Sequence, residues 1–176
     1  MNFNIDEQQA TQLAQQIRLL LLDVDGVLTD GSLYFSEDGS EIKAFNTQDG
    51  HGIRMLLAND INVGIITGRS SKIVENRALD LGITLLYQNQ SDKHAALEDI
   101  LVKHNYGISE IAYAGDDLPD LPVSNVVGLS FAVANAHSIV LNKSMLITSR
   151  SGGKGAVREI SDYLLQSQDK YEQYLS

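Results

Sequence analysis

Leu19-Leu-Leu-Leu-Asp-Val-Asp-Gly-Val-Leu-Thr29 is the stretch that decides the fold, because an unbroken apolar run ends there in two carboxylates. Four consecutive leucines cannot alternate between a buried and a solvated face, so the run, which begins at Ile17, predicts a strand covered on both faces. Such strands are typical of parallel sheets. Asp23 and Asp25 then stand where the strand ends, at the edge where α/β proteins bind ligands.

Similar apolar runs recur along the chain at intervals that leave room for helices. Apolar positions at helical spacing predict a leading helix at about 6–17. Further strands are predicted at 62–66, 83–86, 110–114, 126–130 and 145–147. This alternation predicts a doubly wound α/β fold, with a parallel sheet and helices on both faces.

One segment interrupts the alternation just after the first strand. Two short strands at 32–35 and 41–45 flank a turn that contains Gly39, which predicts a β-hairpin inserted at about 31–46. The polar tail at about 166–176 suits either a frayed end or a docking arm. A chain of 176 residues is expected to form a single domain, 1–176.

The amino-acid composition limits the partners and the metal ligands that can be expected for this chain. The 13 basic and 23 acidic residues disfavour nucleic acid as a partner, because polyanion binding depends on many basic contacts. The chain contains no cysteine, so a bound metal is expected to have oxygen ligands or one of the four histidines. No secretory leader and no apolar run of membrane-spanning length is visible, which predicts no membrane partner and a cytoplasmic location.

Asp23 and Asp25 suit two different steps of phosphoryl transfer. One carboxylate can attack phosphorus, and a second carboxyl group can protonate the leaving oxygen and later activate water. The alternative is a strand-end turn whose acidic residues serve only the loop. An isolated Asp-x-Asp motif does not separate these interpretations.

Two further groups follow later strand ends. Thr67 and Arg69 combine a hydroxyl and a guanidinium that can surround phosphate oxygens, although Thr67 or Ser70 also suits a helix N-cap. Lys93 begins a predicted helix, where the macrodipole does not favour a cation. A solvated surface lysine is the alternative interpretation of Lys93.

Three carboxylates, those of Asp116, Asp117 and Asp120, stand just beyond the strand predicted at 110–114. A divalent cation such as Mg²⁺, which prefers oxygen ligands, relieves the repulsion among such charges. The alternative is a turn in which Asp116 or Asp117 caps a helix. Capping requires one carboxylate and not three.

Taken in order, these groups resemble the four motifs of the haloacid dehalogenase superfamily of phosphotransferases, which surround a Rossmann-like sheet. The resemblance implies that Asp23 is the catalytic nucleophile and that Asp25 is the acid/base. It also implies that Thr67 and Lys93 bind the transferring phosphate.

The same resemblance implies a magnesium site. Its ligands are the carboxylates of Asp23 and Asp116 and the backbone carbonyl of Asp25. For Asp120 it implies either a metal-bound water or the orientation of Lys93.

The resemblance tightens to the capless 3-deoxy-D-manno-octulosonate 8-phosphate phosphatases, since the chain has no room for a cap domain. The segments that carry it, within about 17–166, are Leu22-Asp-Val-Asp-Gly-Val-Leu-Thr-Asp-Gly31, Lys43-Ala-Phe-Asn46, Asp49-Gly-His-Gly-Ile53 and Gly152-Gly-Lys-Gly-Ala-Val-Arg-Glu159. The family implies substrate contacts from a loop at 46–50, from three arginines and from two motif residues: Asn46, Thr47, Gln48, Asp49, Gly50, Arg54, Arg69, Arg77, Asp25 and Lys93.

The implied activity is hydrolysis of the 8-phosphate to the free sugar acid and phosphate in lipopolysaccharide precursor synthesis. The implied assembly is a homotetramer in which the hairpin forms a central barrel and the tail lies over a neighbouring subunit's site. The sequence departs from the usual family pattern at two places that bear on the identity of the substrate. Thr47-Gln48 stands where a Val-Arg pair is more common, and His51 stands where Tyr is frequent.

These departures leave a related nine-carbon sugar acid 9-phosphate as an alternative substrate. A phosphoacceptor signalling domain is an alternative from another class, but it does not need a second acid at Asp25. A non-catalytic assembly module is a further alternative.

Overall fold

The computed structural model describes residues 1–175. Strand β1 (Asn2–Phe3) and helix α1 (Glu7–Ala14) precede the central strand β2 (Leu19–Leu22). The later strands are β3 (Tyr34–Phe35), β4 (Glu41–Ile42), β5 (Asn62–Ile66), β6 (Leu85–Tyr87), β7 (Ile111–Gly115), β8 (Leu129–Ala132) and β9 (Leu146–Ile147). The later helices are α2 (Thr47–Leu57), α3 (Lys72–Leu81), α4 (Lys93–His104), α5 (Leu121–Ser124), α6 (Ser138–Lys143) and α7 (Ala156–Ser167).

Within residues 1–175 the main sheet has seven strands in the order β1-β9-β8-β7-β2-β5-β6. Every pairing is parallel except that of β1 with β9 at one edge. The chain leaves β2 toward β5 and β6 and then returns to β7 on the other side. The crevice between β2 and β7 is therefore the switch point at which doubly wound sheets bind ligands. The predicted fold class is confirmed, but the antiparallel edge strand was not predicted.

The leucines of β2 pack on both faces of the sheet, as the continuous apolar run predicts. Leu20 and Leu22 lie in the cluster that α1, α2 and α7 cover. Leu19 and Leu21 lie in the cluster that α4 and α5 cover. All four are 0% exposed, so β2 anchors the residues that follow it.

The predicted hairpin is present, although its paired part is limited to β3 and β4. Its apolar side chains remain open to solvent: Tyr34 is 49%, Phe35 59% and Ile42 60% exposed. None of the helices in the described part of the chain has the length and apolar character that a bilayer crossing needs.

The C-terminal tail folds back onto its own chain beyond α7. Lys170 Nζ donates to the Asn59 carbonyl at 3.0 Å, and Asn59 Nδ2 donates to Tyr174 Oη at 2.7 Å. As far as Tyr174 the tail therefore docks on its own chain and is not a frayed end, and its implied position over a neighbouring subunit's site stays a prediction. Ser176 lies outside the described residues.

Candidate active site

One cleft of about 300 Å³ opens at the carboxyl ends of the central strands. It brings together every residue that the sequence predicts as catalytic or as a metal ligand. The residues that line it are Asp23, Asp25, Thr67, Gly68, Arg69, Lys93, Asp116, Asp117, Pro119 and Asp120.

The loop after β2 brings the first motif against the acidic cluster. The Asp23 amide donates to the Ala114 carbonyl at 3.1 Å, and the Asp23 side chain is held at the cleft floor. Gly26 follows with a φ of 108°, and a Cβ at this position would meet Asp116 Oδ2 at 2.1 Å. Only glycine permits both this backbone conformation and this close approach.

The glycine-rich run packs against the same loop. A Cβ on Gly152 would lie 1.6 Å from the carbonyl oxygen of Gly26, and the Gly153 amide donates to the Val27 carbonyl at 2.9 Å. The run therefore supports the backbone next to Asp23, the proposed nucleophile. This role explains why a stretch that phosphoryl chemistry does not itself require accompanies the motif.

Lys93 lines the cleft and is not a surface lysine. Its Nζ is 2.8 Å from Asp23 Oδ1 and 2.6 Å from Asp120 Oδ1, and its side chain is 6% exposed. Burial by itself lowers the pKa of Lys93, but the two carboxylates outweigh burial and raise it. Lys93 is therefore a fixed cation beside the proposed nucleophile, and the surface interpretation was wrong.

Asp120 holds Lys93 in place, and both of its carboxylate oxygens accept hydrogen bonds. Its Oδ1 accepts hydrogen bonds from Lys93 Nζ and from Tyr113 Oη, each at 2.6 Å. Its Oδ2 accepts from the amides of Asp116 at 2.8 Å and Asp117 at 3.1 Å. Of the two roles that the resemblance implies for Asp120, this geometry favours the orientation of Lys93.

Tyr113 was missed by the sequence reasoning. It is fully buried in β7, and burial, together with the charge of Asp120, raises its pKa well above the ordinary value. The available signal was a single hydroxyl-bearing side chain in an otherwise apolar strand that leads into Asp116.

Three carboxylates meet where a cation is expected. Oxygens of Asp23, Asp116 and Asp120 lie within 4.8 Å of one another. Burial, reinforced by the neighbouring acids, raises the pKa of Asp116 to about 7. Burial also raises the pKa of Asp23 to about 6; Lys93 opposes this rise and the charge of Asp120 adds to it. Crowded, partly desolvated carboxylates fit a hard divalent cation such as Mg²⁺.

The carboxylate of Asp25 lies outside that cluster, in agreement with the implied use of its backbone carbonyl. It faces the hairpin, where Oδ1 contacts Lys43 Nζ and Oδ2 lies 3.7 Å from Arg69 Nε. The two motif aspartates are therefore held separately, as distinct roles in nucleophilic attack and proton transfer require.

Thr67 is buried at the end of β5 and lines the cleft. Its amide donates to the Tyr87 carbonyl at 2.9 Å, and its carbonyl accepts from the Gln90 amide at 3.0 Å. The N-cap residue of α3 is Ser71. The capping interpretation of Thr67 or Ser70 was therefore wrong, and phosphate binding by Thr67 stays a prediction.

The segment 46–50 begins helix α2 and is not a loop. Asn46 caps the helix by accepting from the amides of Gln48 at 2.7 Å and Asp49 at 3.4 Å. Asp49 is 1% exposed and accepts from the amides of Gly155 at 3.3 Å and Arg158 at 2.8 Å. These bonds give Asn46 and Asp49 structural roles, and a sugar contact through them stays a prediction.

Arg54 and Arg77 lie outside the cleft in this chain. They line a separate depression of about 350 Å³, together with Thr47, Gly50, His51, Asp80 and Leu81. Both arginines pair with Asp80, at 3.3 Å and 2.8 Å respectively. Gln48 also points elsewhere, since its Oε1 accepts from Arg150 Nη1 at 2.9 Å. Of the three predicted substrate arginines, the cleft contains only Arg69.

Comparison with known proteins agrees with this geometry. The family model of haloacid dehalogenase-like hydrolases matches residues 82–160. The 3-deoxy-D-manno-octulosonate 8-phosphate phosphatase of Yersinia pestis is 53% identical over 92% of this chain and 86% of its own length. That of Escherichia coli K12 is 52% identical over 91% and 85%.

A solved structure of the Moraxella catarrhalis phosphatase of the same name superposes with a TM-score of 0.94. It is 39% identical, and the match covers 97% of this chain and 98% of that one. The chain therefore belongs to the 3-deoxy-D-manno-octulosonate 8-phosphate phosphatase family of haloacid dehalogenase-like hydrolases.

Proposed function

We propose that this magnesium-dependent phosphatase releases phosphate from 3-deoxy-D-manno-octulosonate 8-phosphate through an aspartyl-phosphate on Asp23, in lipopolysaccharide precursor synthesis. One observation carries the proposal: Asp23 lies 2.8 Å from the buried cation of Lys93, while Asp25 is held separately in the same cleft. A nucleophile beside a fixed cation and a second carboxyl group are the parts that this reaction needs.

In the first half-reaction an Asp23 oxygen bonds to phosphorus while the bond from phosphorus to the sugar oxygen breaks. Asp25 gives its proton to that sugar oxygen. In the second half-reaction Asp25 takes a proton from water, and the hydroxide displaces Asp23 from phosphorus. Lys93, with the hydroxyl of Thr67, stabilises the negative charge on the transferring group.

Asp23, Asp116 and the Asp25 carbonyl are the proposed ligands of Mg²⁺. The cation, when bound, supplies charge neutralisation that lets a carboxylate approach a phosphate dianion. The Moraxella catarrhalis structure contains magnesium, phosphate and the sugar acid, which supports both the cofactor and the substrate proposed for this chain.

We propose a homotetramer as the working form. The exposed hairpin side chains, above all Tyr34, Phe35 and Ile42, support association through the hairpin, because a lone domain leaves them uncovered. Arg54 and Arg77 lie outside their own chain's cleft, so a sugar contact through them needs a neighbouring subunit.

We further propose a single phosphatase domain in the cytoplasm. The pairing of β1 with β9 places the first strand beside the last strand of the same sheet, which supports the single domain.

Phosphate release from a panel of sugar phosphates, with Mg²⁺ and with chelator, tests the function. The eight-carbon 8-phosphate is expected to give the highest kcat/KM, and chelator is expected to stop release. The nine-carbon 9-phosphate belongs in the same panel, because a higher kcat/KM for it would reassign the substrate. No release from any member would refute the phosphatase proposal.

A further inference from the structure

Four charged side chains form a closed ring on the hairpin side of the cleft. Lys43 Nζ contacts Asp25 Oδ1 and lies 3.3 Å from Glu41 Oε1. Arg69 Nη2 is 2.7 Å from the same Glu41 oxygen, and Arg69 Nε is 3.7 Å from Asp25 Oδ2. Basic side chains and carboxyl groups alternate around the ring.

The hairpin places two ring members inward by simple alternation. Residues two apart along an extended backbone share a face, and Glu41 in β4 and Lys43, one residue beyond its end, both face Asp25 while Ile42 faces outward. The side-chain exposures agree: Lys43 is 2% and Glu41 is 15% exposed, whereas Ile42 is 60% exposed. A lysine this deeply buried requires paired carboxylates, because an unpaired buried charge is costly.

Glu41 is fixed from a second direction. Its Oε2 accepts from Ser71 Oγ at 3.0 Å, and the Ser71 amide donates to Gln88 Oε1 at 2.7 Å. The ring is therefore tied to the segment that joins β5 to α3. A side chain anchored at both carboxylate oxygens is a rigid support for Lys43.

The ring fixes the carboxylate plane of Asp25. Each of its oxygens faces a different cation, Lys43 on one side and Arg69 on the other. Within residues 1–175, the Asp25 carboxylate accepts a side-chain hydrogen bond from one donor, Lys43. Loss of Lys43 therefore frees the Asp25 side chain to rotate away from the leaving oxygen.

We propose that Lys43 and Glu41 are positioning residues for Asp25, through which the hairpin aims the general acid at the sugar oxygen. The inference rests on the proposed function, since Asp25 must be the acid/base. A proton donor acts only within hydrogen-bond reach of its target, and a misplacement of about 1 Å is enough to cost on the order of 100-fold in rate.

The test compares two leaving groups. A sugar alkoxide must be protonated as it departs, whereas the nitrophenolate of para-nitrophenyl phosphate departs without a proton. Single-turnover release of each alcohol, with enzyme in excess and Mg²⁺ present, isolates the step in which Asp25 is the acid. The variants are Lys43→Met, Glu41→Gln and Lys43→Arg, which keeps a cation at the ring.

Lys43→Met is expected to slow sugar release by about 100-fold and nitrophenolate release by less than about 10-fold. Glu41→Gln is also expected to slow sugar release more than nitrophenolate release, but by smaller factors. Lys43→Arg is expected to restore part of the rate of sugar release. The matched control is Lys103→Met, which removes an exposed lysine paired with Asp99 at 2.8 Å on α4. Both of its rates are expected to stay at the wild-type value.

Equal losses on both substrates would overturn the inference, because a merely structural role affects both alike. Unchanged rates in Lys43→Met would overturn it too. Thermal melting of each variant shows whether it is folded, and Lys43→Arg provides the comparison if Lys43→Met is not. Failure of the proposed function is separate, since the wild type itself would then release neither alcohol.

Discussion

Asp116→Asn is expected to stabilise the metal-free protein and to remove its response to magnesium. Burial, and then the charges of Asp23 and Asp120, raise the pKa of Asp116 to about 7 from its ordinary 3.8. A carboxyl group with a higher pKa in the folded state binds more protons when folded. Its contribution to stability is therefore present below pH 3.8 and is lost as the pH rises through about 7.

The size of the effect follows from the same pKa. A rise of about 3 pKa units corresponds to about 4 kcal/mol. Solvent reaches part of the Asp116 side chain and screens its charge, so about 2 kcal/mol is expected. This free energy corresponds to about 4–8 °C in Tm for a chain of this length. Asparagine keeps the volume without the charge, so the variant should melt higher than the wild type above neutral pH.

Thermal unfolding between about pH 5 and about pH 8, in chelator and in Mg²⁺, checks this expectation. The wild type should lose Tm with rising pH in chelator and regain it with Mg²⁺, since a ligand that binds only the folded state stabilises it. Asp116→Asn should show a flatter pH dependence and little gain from Mg²⁺. Asp60→Asn is the control, since Asp60 is exposed and its φ of 61° suits asparagine.

An Asp116→Asn variant that melts below the wild type in chelator above neutral pH would refute the reasoning. That result would mean that the Asp116 carboxylate makes favourable contacts without metal. A wild-type Tm that does not fall with pH in chelator would refute it as well, because the repulsion among the three carboxylates would then be too small to matter.

Asp23→Asn is expected to abolish phosphate release and covalent phosphorylation while the far-UV circular dichroism stays unchanged; substantial residual turnover would contradict the nucleophile assignment. Replacing Tyr34 and Ile42, which face each other in the hairpin register, by serine is expected to lower the mass measured by light scattering at micromolar concentration. A monomeric wild type would contradict the tetramer. Tyr113→Phe removes a buried donor to Asp120 and should lower the free energy of unfolding in urea by about 1–2 kcal/mol and reduce kcat. No change in either quantity would show that the hydroxyl is dispensable.

Much of the fold was predictable because buried parallel strands carry an unambiguous pattern. The strand predicted at 62–66 has the same bounds as β5, and the run of leucines became β2. Strand β1 was not predictable, because two residues carry no period and the pairing with β9 depends on contacts distant in sequence. A local pattern cannot report such a contact.

Helix α2 was misjudged for a related reason. The family resemblance implied a loop at 46–50, and Gly50 and Gly52, which lower the intrinsic helix propensity, gave no local sign of a helix there. The structure explains both glycines by packing: a Cβ on Gly50 would lie 2.3 Å from Arg77, and one on Gly52 would lie 2.8 Å from Ser161 Oγ. Close packing between elements, which the sequence does not display, overrides propensity at this point.

The candidate site was predictable to the extent that the topology places strand ends together. Asp23, Asp25, Thr67, Lys93 and Asp116 do line one cleft. The burial of Lys93 was not predictable from its place at a helix start, since its partners come from the loop after β2 and from the turn after β7. The hydrogen bond from Tyr113 to Asp120 was likewise visible only in the folded structure.

The hairpin carries two sets of side chains that face opposite directions. Tyr34 and Ile42 face outward, where the proposed subunit contact lies, and Lys43, which Glu41 pairs, faces Asp25, the proposed acid/base. The short hairpin therefore carries side chains for both tasks, and a change in its twist moves both sets. It follows that hairpin variants that dissociate the assembly should slow sugar release more than nitrophenolate release, even though their substitutions lie on the outer face. Equal slowing would instead indicate that association only completes substrate binding.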